Sequence, residues 1–151
     1  MIKNPKTDSA LHVLKGAVEK VLGASLTTSV YEEGNKGRLT VEFDRNPTKE
    51  EIFEIEKLAN EKIQENIEIK HFDMNRKEAE EKYGNKIYDK FPVPLHITTL
   101  KILEIPHWNI NCCIGEHTKT TGEIGNVSIR KYRFRESKQQ LEIGFELALF
   151  P

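Results

Sequence analysis

Apolar residues return at helical spacing from Ser9 to Leu22, where Leu11, Leu14, Val18, Val21 and Leu22 form one stripe and Gly23 supplies a stop. Asp8, His12, Gly16 and Glu19 form a neighbouring stripe on the same helix. Glycine inside a helix costs about 1 kcal/mol relative to alanine, so Gly16 points to a close approach by backbone, ligand or packed structure. The period then changes from helical to two. Leu39, Val41 and Phe43 alternate with Thr40 and Glu42, and together with Ser25 to Tyr31 and the Gly34-Asn35 turn they predict a β-hairpin. Thr48 and Glu51 make a capping box for a second helix with a buried face of Ile52, Ile55, Leu58, Ala59 and Ile63.

Further along, Ile67 to Phe72 predicts a short strand, and Asn75 with Glu78 caps a short helix ending near Gly84. Residues 85–97 carry Pro92 and Pro94 and read as an ordered loop; Thr98 to Ile105 is a strand. Two long strands close the chain. In the last, Leu141, Ile143, Phe145, Leu147 and Leu149 share one face. In the one before, Val127 and Ile129 hand the apolar role to Tyr132 and Phe134, a change of phase that predicts a bulge. Lys131, Arg133 and Arg135 share its other face, either as solvated surface or as a phosphate-facing patch. No repeat or break in composition divides the chain. The expectation is one α+β domain over residues 1–151, a mostly antiparallel (mixed) sheet with helices packed on it.

Composition narrows the function classes. Net charge is −1 with 31% charged residues, which disfavours a general duplex binder but leaves room for a local basic surface meeting an RNA end. Cys112 and Cys113 are adjacent and bridge poorly, so a reducing compartment is expected. With no apolar leader and no run long enough to span a membrane, the sequence reads as cytoplasmic. A chain of 151 residues buries about two thirds of its unfolded surface without help. A metal here would be working rather than stapling.

The candidate chemistry lies in two pairs at opposite ends of the chain, Asp8 with His12 and Cys113 with His117, each four residues apart. On a helix such pairs share a face. Carboxylate, imidazole and thiolate suit zinc, so the fold is expected to close both pairs on one Zn²⁺. Asp8 has a second possible role, as N-cap accepting from the Ala10 or Leu11 amide. Cys112 is expected to be dispensable. Thr27, Thr28 and Ser29 put hydroxyls on the first strand, which the strand propensity of threonine alone would also explain.

Three segments carry a likeness beyond these spacings: Ser9-Ala-Leu-His-Val-Leu-Lys-Gly-Ala17, Gly34-Asn-Lys-Gly37 and Glu116-His-Thr-Lys-Thr-Thr-Gly-Glu-Ile-Gly125. With Phe91-Pro-Val-Pro94 and Trp108-Asn-Ile-Asn111, they resemble the AlaX family, freestanding homologues of the alanyl-tRNA synthetase editing domain, in its shortest type. The resemblance implies the fold shared by alanyl- and threonyl-tRNA synthetase editing domains. It also implies zinc-dependent hydrolysis of serine, with glycine as a second candidate, wrongly esterified to tRNA(Ala). Cys113 and His117 match the family's Cys-x-x-x-His motif, and His12 matches the later position of its His-x-x-x-His motif. Asp8 stands where the earlier histidine would be. The family's serine-sensing threonine falls on Thr27, with Thr28 as alternative. Lys119 is offered as a contact to the acceptor end of the mischarged tRNA, against a plain surface lysine. The rival reading is a non-catalytic zinc domain that binds RNA or aminoacyl-tRNA, and metal-dependent ester cleavage separates the two.

Overall fold

A computed structural model describes residues 2–148. Helix α1 (Pro5–Leu22) begins a full turn before the apolar stripe, because Asn4 accepts from the Lys6 amide at 3.0 Å and Pro5 opens the first turn. It ends at Gly23, whose φ of 72° only glycine adopts freely. This start corrects one expectation: Asp8 lies inside the helix, its own amide bonded to the Asn4 carbonyl at 2.9 Å, and does not cap it.

Strands β1 (Thr27–Glu33) and β2 (Lys36–Glu42) form the expected hairpin. Helix α2 (Lys49–Gln64) has both halves of its capping box. Then follow β3 (Lys70–Asn75), α3 (Arg76–Tyr83, capped by Asn75), β4 (Thr99–Ile105), β5 (Asn109–Cys112), β6 (Asn126–Arg135) and β7 (Gln140–Ala148). All strand pairs are antiparallel. They make two sheets rather than one, in the orders β1-β2-β7-β6 and β3-β4-β5.

The main core lies between the four-stranded sheet and helices α1 and α2. Leu39, Val41, Val127, Leu141, Ile143, Phe145 and Leu147 meet Leu11, Leu14, Val18, Ile55 and Ala59. Strand β4 is buried on both faces: Leu103 and Ile105 enter this core, while Leu100 and Ile102 join Ala79 and Ile87 in a second cluster under α3. That double burial fixes the smaller sheet against the larger layer. Leu149, expected on the inner face of the last strand, lies outside the described residues.

The bulge predicted in β6 occurs between Ile129 and Lys131. Of the stripe expected there, Arg135 pairs with Glu142 of β7 at 2.8 Å, and Arg130, outside the stripe, pairs with Glu146 at 3.6 Å. A second bulge, between Thr27 and Ser29, was not foreseen. The strand expected at Ile67 starts later because Ile67 and Ile69 bond instead to the Thr121 hydroxyl and the Lys119 carbonyl, at 2.9 and 2.8 Å. Among the described residues no helix is long and apolar enough to cross a membrane.

Candidate metal centre and the adjoining cavity

Gly16 allows α1 to meet the segment that carries the second motif. A side chain there would collide with the Trp108 indole, whose Nε1–H donates to the Val13 carbonyl at 2.8 Å. The close approach is therefore a packed tryptophan. One turn earlier, His12 is 4% exposed and its Nδ1–H donates to Asn109 Oδ1 at 3.0 Å. That bond leaves Nε2 with its lone pair. Beyond β5 the chain turns back, and the Thr118 amide donates to Ser9 Oγ at 2.9 Å, bringing His117 over the start of α1.

As a result His12, Cys113 and His117 offer ligand atoms all within 4.8 Å of one another. Cys113 Sγ is 3.5 Å from His117 Nε2, and the His12 and His117 rings meet edge to face at 5.1 Å. His117 also stacks on His71 of β3, with centroids 4.9 Å apart. The first pair lies on a helix as expected. The second does not: Cys113 to His117 is irregular chain, and its approach is set by the loop rather than by helical spacing.

Burial governs the electrostatics. It pushes His12 well below the usual histidine range, with Lys15 and His117 adding to the effect, and pushes His117 down to about 4, with His71 next in weight. The same cause pushes the Cys113 thiol up. Both imidazoles are thus neutral at pH 7, the form that ligates. The buried Nδ1 of His117 has no hydrogen-bond partner among the described residues, while Nε2 faces the Cys113 thiol. Two neutral imidazoles and a thiol in reach of one point fit zinc by donor type.

Asp8 stands beside this group but outside it. Its carboxylate lies against Gly115, where a Cβ would be 3.2 Å from Asp8 Oδ2 and 3.7 Å from Cys113 Sγ. Burial, and then the Asp8 charge, push the neighbouring buried Glu32 up to about 7, and burial pushes Asp8 up as well. Nothing in the spacing of Asp8 signalled Glu32. Cys112, one residue from the thiol of the group, faces the second core cluster instead.

A cavity of about 500 Å³ is lined by Thr27, Lys15, Asp89, Asn109 and Asn111 among others. Asn109 connects it to the metal group, since it lines the cavity and holds His12. Thr27 is 2% exposed, and no hydrogen bond among the described residues uses its hydroxyl. Thr28 is the extra residue of the β1 bulge, and its hydroxyl is turned to the Thr40 carbonyl at 3.3 Å. Lys119 is exposed on the loop after His117 and does not line the cavity.

Sequence reasoning passed over Lys15, Asp89 and Asn111. Lys15 Nζ reaches Asp89 Oδ1 at 3.3 Å and Asn111 Oδ1, with the lysine side chain only 11% exposed. The signal was available: Lys15 follows His12 by three residues, which places it on the same side of α1.

No protein-family model matches the chain. It is 39% identical over 139 residues to the alanine–tRNA ligase of Methanococcus aeolicus, with 91% of this chain aligned. It is 41% identical over 119 residues to that of Saccharolobus islandicus and 37% identical over 124 residues to that of Staphylothermus marinus, covering 78% and 82% of the chain. The chain spans only 13–15% of the length of these relatives.

Proposed function

We propose, from the premise that this chain is homologous over most of its length to a segment of alanine–tRNA ligases, that it is a zinc-dependent deacylase of mischarged tRNA(Ala). The homology agrees with the AlaX resemblance drawn from the sequence. The observation that carries the chemistry is the convergence of His12, Cys113 and His117 from two distant segments.

These three side chains would hold the ion. When bound, zinc would polarise an ester carbonyl and lower the pKa of a nearby water toward ~7. Asn109 fixes the ring of His12 through Nδ1, the orienting bond that ligating histidines generally need. Asp8 is the proposed fourth partner, since its carboxylate and the Cys113 thiol both lie against Gly115. A carboxylate in that place binds more weakly than a histidine would, or through water, and leaves room for the attacking water.

Selection falls to Thr27. Thr27 lines the cavity, and no hydrogen bond among the described residues uses its hydroxyl, unlike that of Thr28. A seryl ester supplies a hydroxyl partner, whereas an alanyl ester leaves Thr27 unpaired in a buried site. Sites built this way reject the analogue lacking the hydroxyl by up to ~10⁴-fold. Lys119, exposed close to His117 in sequence, suits a phosphate at the acceptor end.

Deacylation of Ser-tRNA(Ala), with Ala-tRNA(Ala) as control and with or without chelator, tests the reading. Serine release should depend on metal, and Thr27→Val should lower it while alanine release holds or rises. Zinc binding and RNA binding without ester cleavage would return the non-catalytic alternative. Gly-tRNA(Ala) in the same assay decides whether glycine is also a substrate.

A further inference from the structure

An aminoacyl ester differs from other esters by the ammonium group beside its carbonyl. A site that acts on such esters gains from an anion placed to receive that cation, and the cavity contains one. We infer that Asp89 is the receptor for the α-ammonium of the bound aminoacyl group, with Lys15 and Asn111 as its positioning residues. The inference rests on the deacylase reading above.

The placement follows from a two-rung ladder between α1 and β5. His12 and Lys15 are three residues apart on the helix, about 5–6 Å between Cβ atoms. Asn109 and Asn111 are two apart on the strand, about 6.5–7 Å, on one face. His12 bonds Asn109, and Lys15 bonds Asn111. The second rung therefore lies roughly one amino-acid length from the imidazole that belongs to the metal group. Asp89 joins that second rung.

The two oxygens of Asp89 are not equivalent. Oδ1 takes both internal bonds, from Lys15 Nζ at 3.3 Å and from Asn111 Nδ2 at 3.4 Å. Oδ2 takes none among the described residues, and the side chain is 38% exposed on the wall of the cavity. A carboxylate clasped on one oxygen and open on the other is oriented before a ligand arrives. Asn111 is itself held, 3% exposed and donating to the Ile87 carbonyl at 3.1 Å. The next residue in the chain fixes the other side: the Lys90 amide donates to the Thr27 carbonyl at 2.8 Å. The proposed reader of the side-chain hydroxyl and the reader of the ammonium are thus tied through adjoining backbone. Glu19 and Glu104 also line the cavity, but no hydrogen bond among the described residues holds either side chain in place.

Asp89→Asn and Asp89→Glu should be compared with the parent on two pairs of ligands. One pair is Ser-tRNA(Ala) and its α-hydroxy counterpart, glyceryl-tRNA(Ala), read by deacylation. The other is the seryl amide of 3′-amino-3′-deoxyadenosine and its glyceryl counterpart, read by fluorescence of Trp108, the one tryptophan of the chain and a cavity residue. Loss of a charge-assisted hydrogen bond predicts that Asp89→Asn weakens the seryl ligands about ten- to a hundredfold. The glyceryl ligands should change by less than about threefold on the same reasoning, and Asp89→Glu should recover part of the preference. Equal loss for both members of a pair makes Asp89 merely structural and overturns the inference; so does no loss. If no ester is cleaved but the amide pair still separates in binding, the deacylase reading fails and the ammonium receptor stands. If the parent itself binds the two amides equally, the receptor assignment is wrong whatever the esters do.

Discussion

The Ser9 hydroxyl accepts a hydrogen bond from the backbone amide of Thr118 at 2.9 Å, across 109 residues of chain. Each partner is the sequence neighbour of a candidate site residue, Asp8 on one side and His117 on the other. Ser9 donates in turn to the Pro5 carbonyl at 2.8 Å and is fully buried. Alanine at Ser9 would leave the Thr118 amide without its partner, at a cost of about 1–3 kcal/mol. Denaturant unfolding of Ser9→Ala should show that loss, and zinc affinity should fall with it, because His117 depends on the same loop. Unchanged zinc affinity would mean that the loop is held to α1 by other contacts.

Zinc should bind at one ion per chain and release about one proton at pH 7. The proton comes from Cys113, whose thiol is held protonated by burial, while His12 and His117 are already neutral. Metal analysis of His12→Ala, Cys113→Ala and His117→Ala, with proton release followed by indicator dye, checks both numbers. Full zinc retention in all three variants would sink the assignment. Cys112→Ala should bind zinc as the parent does, since that side chain packs in the second core cluster.

Asp8 gives a comparison with opposite outcomes. As a partner of the ion, its removal in Asp8→Ala should weaken zinc binding and slow deacylation, and Asp8→His should restore both. If Asp8 acts only on the charge of Glu32, Asp8→Ala changes the melting temperature and leaves zinc affinity alone. Capping is no longer among its roles, because Asn4 performs it.

In the metal-free protein the two imidazoles should cost stability on mild acidification. His12 and His117 have folded-state values depressed below the ordinary 6.5, His117 to about 4. At these two sites the unfolded chain binds more protons as pH falls below 6.5, so their contribution drops toward pH 4, while Glu32, pushed up to about 7, takes its proton in the folded state and acts in the opposite direction. Melting temperatures of the chelator-treated parent should fall relative to those of His117→Gln, which does not titrate at that site, between pH 7.5 and about 4.5. Parent and His117→Gln profiles that run parallel over that range would show that His117 is solvated in solution.

Local chemistry made much of the fold legible in the sequence. The Thr48 capping box, the Asn75 cap, the Gly34-Asn35 hairpin, the phase change in β6 and the helical stripe of α1 each act within a few residues, and each is present. His12, Cys113 and His117 could be named because ligand types at a spacing of four are visible in one dimension. What could not be read was anything set by contacts between distant segments. One local signal was also passed over: helix α1 starts at Pro5, not at the first apolar residue, because Asn4 caps it. The chain divides its strands into two sheets because β4 carries apolar residues on both faces and is covered from both sides. The Cys113 to His117 pair meets its partner through the Ser9 tie and the Trp108 packing at Gly16, not through a shared helix. Glu32 and Asp89 escaped notice for the same reason. A carboxylate on an alternating strand or in a proline-bearing loop looks like surface in the sequence, and only burial against Asp8, or a clasp by Lys15 at the cavity wall, gives it a role.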